Sequence, residues 1–151
     1  RPGARFSRML TRRSSELPAG GVSCFLPESL AFSFSPPMTW HPLTSAEELD
    51  ALLTESATRP VAIFKHSTTC SISATAKNRL DRQWDGVVGE AVKLYYLDLH
   101  RYRPVSNEVA ARLRVVHESP QLLLIQDGVC TYDASHLGIR AEAVKEKVGK
   151  G

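Results

Sequence analysis

Residues 60–73 read PVAIFKHSTTCSIS, and this stretch decides how the rest of the chain is interpreted. Residues 60–64 form a short apolar run, which is typical of a strand buried on both faces. A polar turn follows. From about residue 70 to residue 84, apolar side chains recur every four positions, at Ile72, Ala76 and Leu80. This spacing predicts an amphipathic helix. The sequence therefore places Cys70 where a buried strand gives way to a helix.

The flanking sequence predicts the remaining elements. Thr44 and Ser45 precede two glutamates in a capping pattern, which predicts a helix that ends near Ser56. Asp85-Gly86 is expected to end the helix that begins at Cys70. Asp127-Gly128 is a two-residue hairpin signal. Further strands are predicted over residues 92–99, 121–125 and 129–132, and further helices over residues 106–115 and 139–148.

The order of these elements predicts the fold class. A strand, a helix and a second strand in sequence form a right-handed parallel crossover. The hairpin then adds antiparallel strands beside it. We therefore expect an α/β protein with a thioredoxin-like arrangement, in which a four-stranded mixed sheet is flanked by helices on both faces.

Residues 1–37 differ in composition from the rest of the chain. They hold five of the nine prolines and lack the continuous apolar core of a secretory signal before Cys24. We interpret residues 1–37 as a disordered or non-native extension and residues 38–151 as a single domain. Met38 is the expected natural start.

Charge and composition exclude several classes of function. The extension carries five arginines and two glutamates, so it holds the whole net charge of +3 and leaves residues 38–151 neutral. A neutral domain has no electrostatic reason to bind nucleic acid. No stretch is apolar enough to cross a membrane. Three cysteines are too few for a disulfide scaffold and indicate a reducing compartment, so we expect a cytoplasmic protein.

Cys70 is the candidate nucleophile. Unpaired amides and the helix dipole favour negative charge at a helix start, and the thiolate is the form that attacks disulfides. Ser73 occupies the position of the second cysteine of a C-x-x-C site, so exchange is expected to stop at a mixed disulfide. Ser73 is expected to donate a hydrogen bond to the sulfur. The other residues expected to support the thiolate are Thr69, Ser71 and Lys65.

Strand alternation sends Lys65 and His66 to opposite faces of the sheet, so at most one of them is expected near the sulfur. The second landmark is Ser119-Pro120, immediately before the third strand. A cis proline at that point would pack beside the cysteine and leave the preceding backbone free to pair with a substrate. The candidate substrate-binding residues are Ser119, Pro120 and Glu118.

The other cysteines and histidines carry less signal. Cys130 lies in the returning strand, where packing is favoured over a role as a resolving thiol, although both stay open. Cys24 lies in the extension. Three histidines show no metal-ligand spacing with the cysteines, namely His100, His117 and His136. We therefore expect no metal site.

Residues 38 to about 148 resemble the monothiol bacilliredoxins of the bacillithiol system. Four segments carry the resemblance: residues 63–73, residues 77–80, the sequence HESPQ at 117–121, and Tyr132-Asp133 with Ser135-His136. Many family members have Cys-Pro where this chain has Cys70-Ser71. The resemblance implies a thioredoxin fold and removal of bacillithiol from protein mixed disulfides. It implies bacillithiol as co-substrate, bacillithiolated proteins as clients and no bound cofactor. We also expect a monomer.

Three alternatives remain open from the sequence. The chain could use another low-molecular-weight thiol, could carry an iron–sulfur cluster as some monothiol glutaredoxin-like proteins do, or could be a non-catalytic adaptor. The cluster carriers resemble a Cys-Gly-Phe-Ser segment, whereas this chain has CSIS at residues 70–73.

Overall fold

The computed structural model describes residues 38–150, so the extension over residues 1–37, Cys24 within it and Gly151 lie outside the described residues. The strands are β1 (His41–Pro42), β2 (Val61–His66), β3 (Lys93–Asp98), β4 (Gln121–Gln126) and β5 (Val129–Ser135). The helices are α1 (Ala46–Glu55), α2 (Ser71–Val87), α3 (Arg103–Leu113) and α4 (Ala141–Val148). Short 3-10 helices cover Gly89–Ala91 and His136–Gly138.

The five strands form one mixed sheet in the order β1-β3-β2-β4-β5. β2 is parallel to β3 and antiparallel to β4, and β4 is antiparallel to β5, so the predicted crossover and hairpin are confirmed. The predicted sheet had four strands, and the fifth is β1, which lies parallel to β3 at the edge. With two residues, one of them a proline, β1 is too short to show the alternation by which strands are predicted.

Helices cover both faces of this sheet and create two cores. On one face, α2 and α4 pack against alternate residues of the central strands, including Ala62, Phe64, Leu122 and Leu124. On the other face, α1 and α3 pack against the residues between them, including Val61, Ile63, Leu123 and Ile125. Because β2 and β4 are buried on both faces, they read as continuous apolar runs rather than as alternating ones.

Helix α2 departs from the prediction at both ends. The inward-facing side chains of α2 are Ser73, Ala76, Leu80 and Trp84, whereas Ile72 is 48% exposed. The predicted apolar face was therefore wrong by one position in the first turn. The helix also continues through Asp85-Gly86, because a glycine in right-handed geometry does not stop a helix. Just beyond the helix end, Gly89 has a positive φ of 55°.

The other boundaries differ by a few residues. α3 begins at Arg103 rather than at Ser106, because Pro104 fits the first turn, where its missing N–H costs no hydrogen bond. α4 begins at Ala141 rather than at Ile139, and β5 extends beyond Tyr132 to Ser135.

The hairpin between β4 and β5 closes the end of the sheet away from Cys70. Asp127 and Gly128 have φ values of 52° and 74°, which is the left-handed geometry that an Asp-Gly turn adopts. Their amides donate to Ser56 after α1, to the carbonyl oxygen at 2.9 Å and to Oγ at 2.7 Å respectively. The turn is thus tied to the helix layer that covers it.

Across residues 38–150, no helix combines the length and apolarity needed to cross a membrane.

We expect Leu80→Ala to lower the free energy of unfolding by about 2–5 kcal/mol, because the Leu80 side chain is fully buried between α2 and the sheet. Leu137→Ala is the matched control, since Leu137 is 72% exposed and its truncation leaves no cavity. Urea unfolding of both variants measures the difference. Similar losses in both would contradict the placement of the α2 core.

Candidate active site

Cys70 is the N-cap residue of α2. Its backbone is extended, with φ −104° and ψ 121°, and no side chain caps the helix start. The Cys70 carbonyl accepts the first helical hydrogen bond, from the Ala74 amide at 3.1 Å. An N-cap side chain lies next to the amides of the first turn, which have no partners within the helix. Because this cap is a cysteine and the first turn of α2 holds no acidic residue, the helix dipole acts on the half-buried sulfur.

The Ser73 side chain faces the sheet and is fully buried. Its Oγ accepts a hydrogen bond from the Ser67 amide at 3.0 Å and lies 2.7 Å from Nδ1 of His66. These contacts join the first turn of α2 to the end of β2. Among residues 38–150, the Ser73 hydroxyl makes no hydrogen bond to the Cys70 sulfur. Direct support of the thiolate by Ser73 stays a prediction, while its observed contacts position the loop that carries Cys70.

His66 lies on the α2 face of the sheet and is 8% exposed. Its ring packs against the rings of Phe64 and Tyr96, with centroids 5.8 and 5.5 Å away. Burial, followed by the nearby positive charge of Lys77, lowers the pKa of His66 below its usual value. The expected alternation is confirmed, since His66 reaches Ser73 on α2. The sequence named this possibility but did not select His66 as a candidate.

A second histidine, in the turn after β3, contacts the same loop. Nε2 of His100 lies 2.8 Å from Ser67 Oγ and 3.1 Å from Thr69 Oγ1. Thr69 therefore belongs to the hydroxyl cluster that holds the loop before Cys70, and Ser71 is exposed at the first helical position. His100 and Ser67 were not among the predicted site residues. Their only sequence signal is that polar side chains follow two neighbouring parallel strands.

Lys65 lies on the opposite face of β2, where its Nζ donates to the Ser106 carbonyl of α3 at 3.3 Å and lies 3.4 Å from His117 Nδ1. The side chain is fully buried. Burial lowers the pKa of Lys65 from 10.5 to about 8. The structure therefore places Lys65 among α3 and the segment before β4 rather than on the α2 face with Ser73, and its support of the Cys70 thiolate stays a prediction.

Ser119 and Pro120 immediately precede β4, and the peptide bond between them is cis. Pro120 is buried, its carbonyl accepts the His136 amide at 3.1 Å, and Glu118 is exposed. The buried Gln121 side chain shapes this segment, since Nε2 donates to the Val116 carbonyl and Oε1 accepts the Glu118 amide.

Pairing between strands brings the two predicted landmarks to the same end of the strands, which is called here the edge that carries Cys70. Lys65 near the end of β2 pairs with Gln121 at the start of β4. The loop to Cys70 leaves this end of β2, and Ser119-Pro120 enters β4 at the same end. The sequence predicted both landmarks and their common edge.

Cys130 lies at the other end of the sheet. It pairs with Ile125, which pairs with Val61 at the start of β2. Val61 and His66 lie five residues apart along β2, so about 16 Å separates the strand pair at Cys130 from the end of β2 that leads to Cys70. A disulfide needs Cα atoms within about 7 Å, so Cys130 cannot resolve a disulfide at Cys70 in the folded chain. Burial raises the pKa of the Cys130 thiol, with Asp133 adding to the effect.

No group of three or more His, Cys, Asp or Glu side chains within residues 38–150 is arranged to hold a metal ion. Four histidines nevertheless share the edge that carries Cys70. His66 contacts Ser73 after the cysteine, and His100 contacts the loop before it. His117 and His136 flank Pro120. Sequence spacing separates them widely, and only strand pairing brings them to one edge.

A family model described as "Monothiol bacilliredoxin BrxC" matches residues 41–144, which include Cys70, Ser119 and Pro120.

Solved structures resemble the described domain as well. One, from a presumed oxidoreductase with a thioredoxin fold, is 26% identical, with a TM-score of 0.62 over 71% of this chain and 91% of its own. Mitochondrial thioredoxin 3 from Saccharomyces cerevisiae is 16% identical, with a TM-score of 0.57 over 74% of this chain and 95% of its own. Thioredoxin from Fasciola hepatica is 18% identical, with a TM-score of 0.55 over 73% and 97%. The likeness to the two thioredoxins shows the fold.

We expect Ser73→Ala to lower the free energy of unfolding by about 1–3 kcal/mol, because it leaves the buried Ser67 amide without an acceptor and removes the partner of His66 Nδ1. Ser71→Ala, at an exposed position two residues away, is expected to change stability by less than about 0.5 kcal/mol. Urea unfolding measures both. Equal effects would show that the Ser73 contacts do not hold the loop.

We expect the stability of the protein to rise with pH between about 8 and 10.5 through Lys65. In that range the unfolded chain keeps the Lys65 proton while the folded chain has released it, so raising the pH favours folding. Lys65→Met should be more stable than the unsubstituted protein near pH 7 and should lose this rise. Lys145→Met, at an exposed position, is the control. Parallel pH curves for the unsubstituted protein and Lys65→Met would contradict the assignment.

Proposed function

The chain belongs to the monothiol bacilliredoxin family, and from this membership we propose that it removes bacillithiol from protein mixed disulfides through Cys70. Family and fold together give the chain a role in thiol redox chemistry. The observation that carries the finer proposal is the position of Cys70 as the N-cap residue of α2, with the oxygen of Ser73 rather than a second sulfur three residues later.

The reaction proceeds in two exchanges. The Cys70 thiolate attacks the bacillithiol sulfur of a client–bacillithiol disulfide, a Cys70–bacillithiol disulfide forms, and the client leaves as a thiolate that takes up a proton. The thiolate of a free bacillithiol then attacks the bacillithiol sulfur bound to Cys70. Oxidised bacillithiol leaves, and the Cys70 thiolate is regenerated. One bacillithiol is consumed for each client thiol released, and no bound cofactor takes part.

Residues around Cys70 supply the charge stabilisation that both exchanges need. In the first exchange Cys70 is the attacking thiolate, and in the second it is the leaving group. Negative charge sits on the same sulfur at the start of one step and at the end of the other. The first-turn amides and the dipole of α2 favour that charge in both. The Ser73 contacts with His66 and Ser67 support the proposal because they fix the helix start beneath the sulfur.

Two exposed apolar side chains support a macromolecular client. Ile72 is 48% exposed two residues after Cys70, and Val116 is 82% exposed four residues before Pro120. We propose that both side chains contact the client protein. We place the client chain between them, extended along Ser119-Pro120, with Glu118 at its rim.

Intact mass spectrometry after mixing the protein with oxidised bacillithiol tests the assignment of the nucleophile. We expect one bacillithiol adduct, located at Cys70 by peptide mapping and removed by free bacillithiol. Cys70→Ser should form no stable adduct and should not release bacillithiol from a modified client. Release of bacillithiol by the Cys70→Ser variant would contradict the assignment of Cys70 as the nucleophile.

Cys130→Ser is the matched control, and we expect it to retain turnover because Cys130 lies at the far end of the sheet. Accumulation of the mixed disulfide in Cys130→Ser would reveal a dithiol mechanism and contradict the proposal. Parallel assays with glutathione and cysteine adducts test the choice of thiol. If glutathione or cysteine is released from the client faster than bacillithiol, that thiol rather than bacillithiol is the co-substrate.

A further inference from the structure

Lys65 is a buried cation that no carboxylate neutralises in the described part of the chain. The ion pairs over residues 38–150 involve Lys77, Lys93 and Arg112, and none involves Lys65. Its two polar contacts, to a carbonyl and to an imidazole nitrogen, are both long. A buried ammonium held only by neutral partners is costly for a fold. The redox steps proposed above do not use Lys65.

The contact between Lys65 and His117 fixes the state of the imidazole. At pH 7, below the Lys65 pKa of about 8, Lys65 is an ammonium group, which only donates hydrogen bonds. Nδ1 of His117 is then the acceptor, and the ring proton lies on Nε2. Burial, Lys65 and Arg103, in that order, lower the pKa of His117 and so favour this neutral form. His117 is exposed whereas Lys65 is fully buried. The imidazole therefore presents an N–H donor on the nitrogen opposite Lys65, backed by a buried positive charge.

Further groups around this pair lack partners. Within residues 38–150, the buried Oγ atoms of Ser106 and Ser119 make no hydrogen bond. Ser106 is the α3 residue whose carbonyl contacts Lys65, and Ser119 lies two residues after His117. Arg103, at the start of α3, makes no ion pair in the described part of the chain. Positive charge and unused donors thus collect on the α3 side of the edge that carries Cys70.

We propose that His117, oriented by Lys65, binds a carboxylate of the small thiol that exchanges with Cys70. The proposal rests on the function proposed above and names its substrate class: an anionic, carboxylate-bearing low-molecular-weight thiol, a class that includes bacillithiol. His117 donates its Nε2–H to the carboxylate, and the Lys65 ammonium behind it adds attraction. Lys65 is a positioning residue, since it acts through His117.

Exchange with two small disulfides that share a carbon skeleton and differ in charge tests this site. Oxidised mercaptosuccinate carries carboxylates, and its fully methylated ester carries none. Cys70 attacks either disulfide, forms a mixed disulfide and releases one small thiol, so intact mass and peptide mapping give the rate of adduct formation at Cys70. We compare the ratio of the two rates between variants, because the ratio cancels any change in the Cys70 thiol itself.

Lys65→Met and His117→Phe should each lower the ratio of acid to ester by about tenfold, the scale of one lost hydrogen bond to a charged group. His117→Gln, whose amide N–H can replace the imidazole donor, should restore most of the preference. Lys145→Met, on α4, removes a lysine away from this edge and should leave the ratio unchanged. An unchanged ratio in both Lys65→Met and His117→Phe would overturn the proposal. Failure of Cys70 to react with either disulfide would instead overturn the proposed function.

Nitrogen NMR of the His117 ring gives a readout independent of exchange. We expect the proton on Nε2 in the unsubstituted protein, and a shift toward a mixture of tautomers in Lys65→Met. A proton on Nδ1 in the unsubstituted protein would contradict the role given to Lys65. If Lys65 had only a structural role, Lys65→Met would leave the tautomer of His117 unchanged.

Discussion

The candidate site depends on one buried hydroxyl group, that of Ser73. A sheet positions its own residues well, but Cys70 stands beyond the last hydrogen bond of β2, in a loop that needs its own support. The Ser73 oxygen supplies that support by accepting the Ser67 amide and meeting His66, so the exit of the strand and the first turn of α2 become one unit. His100 holds the outer side of the same loop through Ser67 and Thr69. The position of the sulfur at the helix start follows from these contacts.

Most of the fold could be predicted because its central strands are buried on both faces. Continuous apolar runs such as those of β2 and β4 are conspicuous in a sequence, and an Asp-Gly pair marks its turn by the geometry that it tolerates. Short or edge features carry less information. β1 has two residues, and the first turn of α2 presents Ser73 inward and Ile72 outward, against the hydrophobic pattern. That reversal occurs at the candidate site, where hydrogen bonds of Ser73 rather than apolar packing occupy the inward position.

The candidate site was less predictable than the fold. The position of Cys70 after a strand and before a helix can be read locally, as can the proline before β4. The partners of each side chain depend on which strands are neighbours and on which face each residue points to. Alternation places Lys65 and His66 on opposite faces of the sheet. It does not reveal that Lys65 contacts His117 and that His66 contacts Ser73. His100 and His117 lie 34 and 51 residues after His66 in the chain, and only the strand order β3-β2-β4 explains why they share an edge.

The inward direction of Ser73 also bears on how one-cysteine and two-cysteine enzymes are related. In this domain an outer sulfur is followed, one helical turn later, by an inner oxygen that is already shielded from solvent. A cysteine at that inner position would replace the oxygen with a sulfur that could form a disulfide with the outer cysteine. In the function proposed above, dependence on an external thiol thus follows from a single atom, the same oxygen that holds the loop before Cys70.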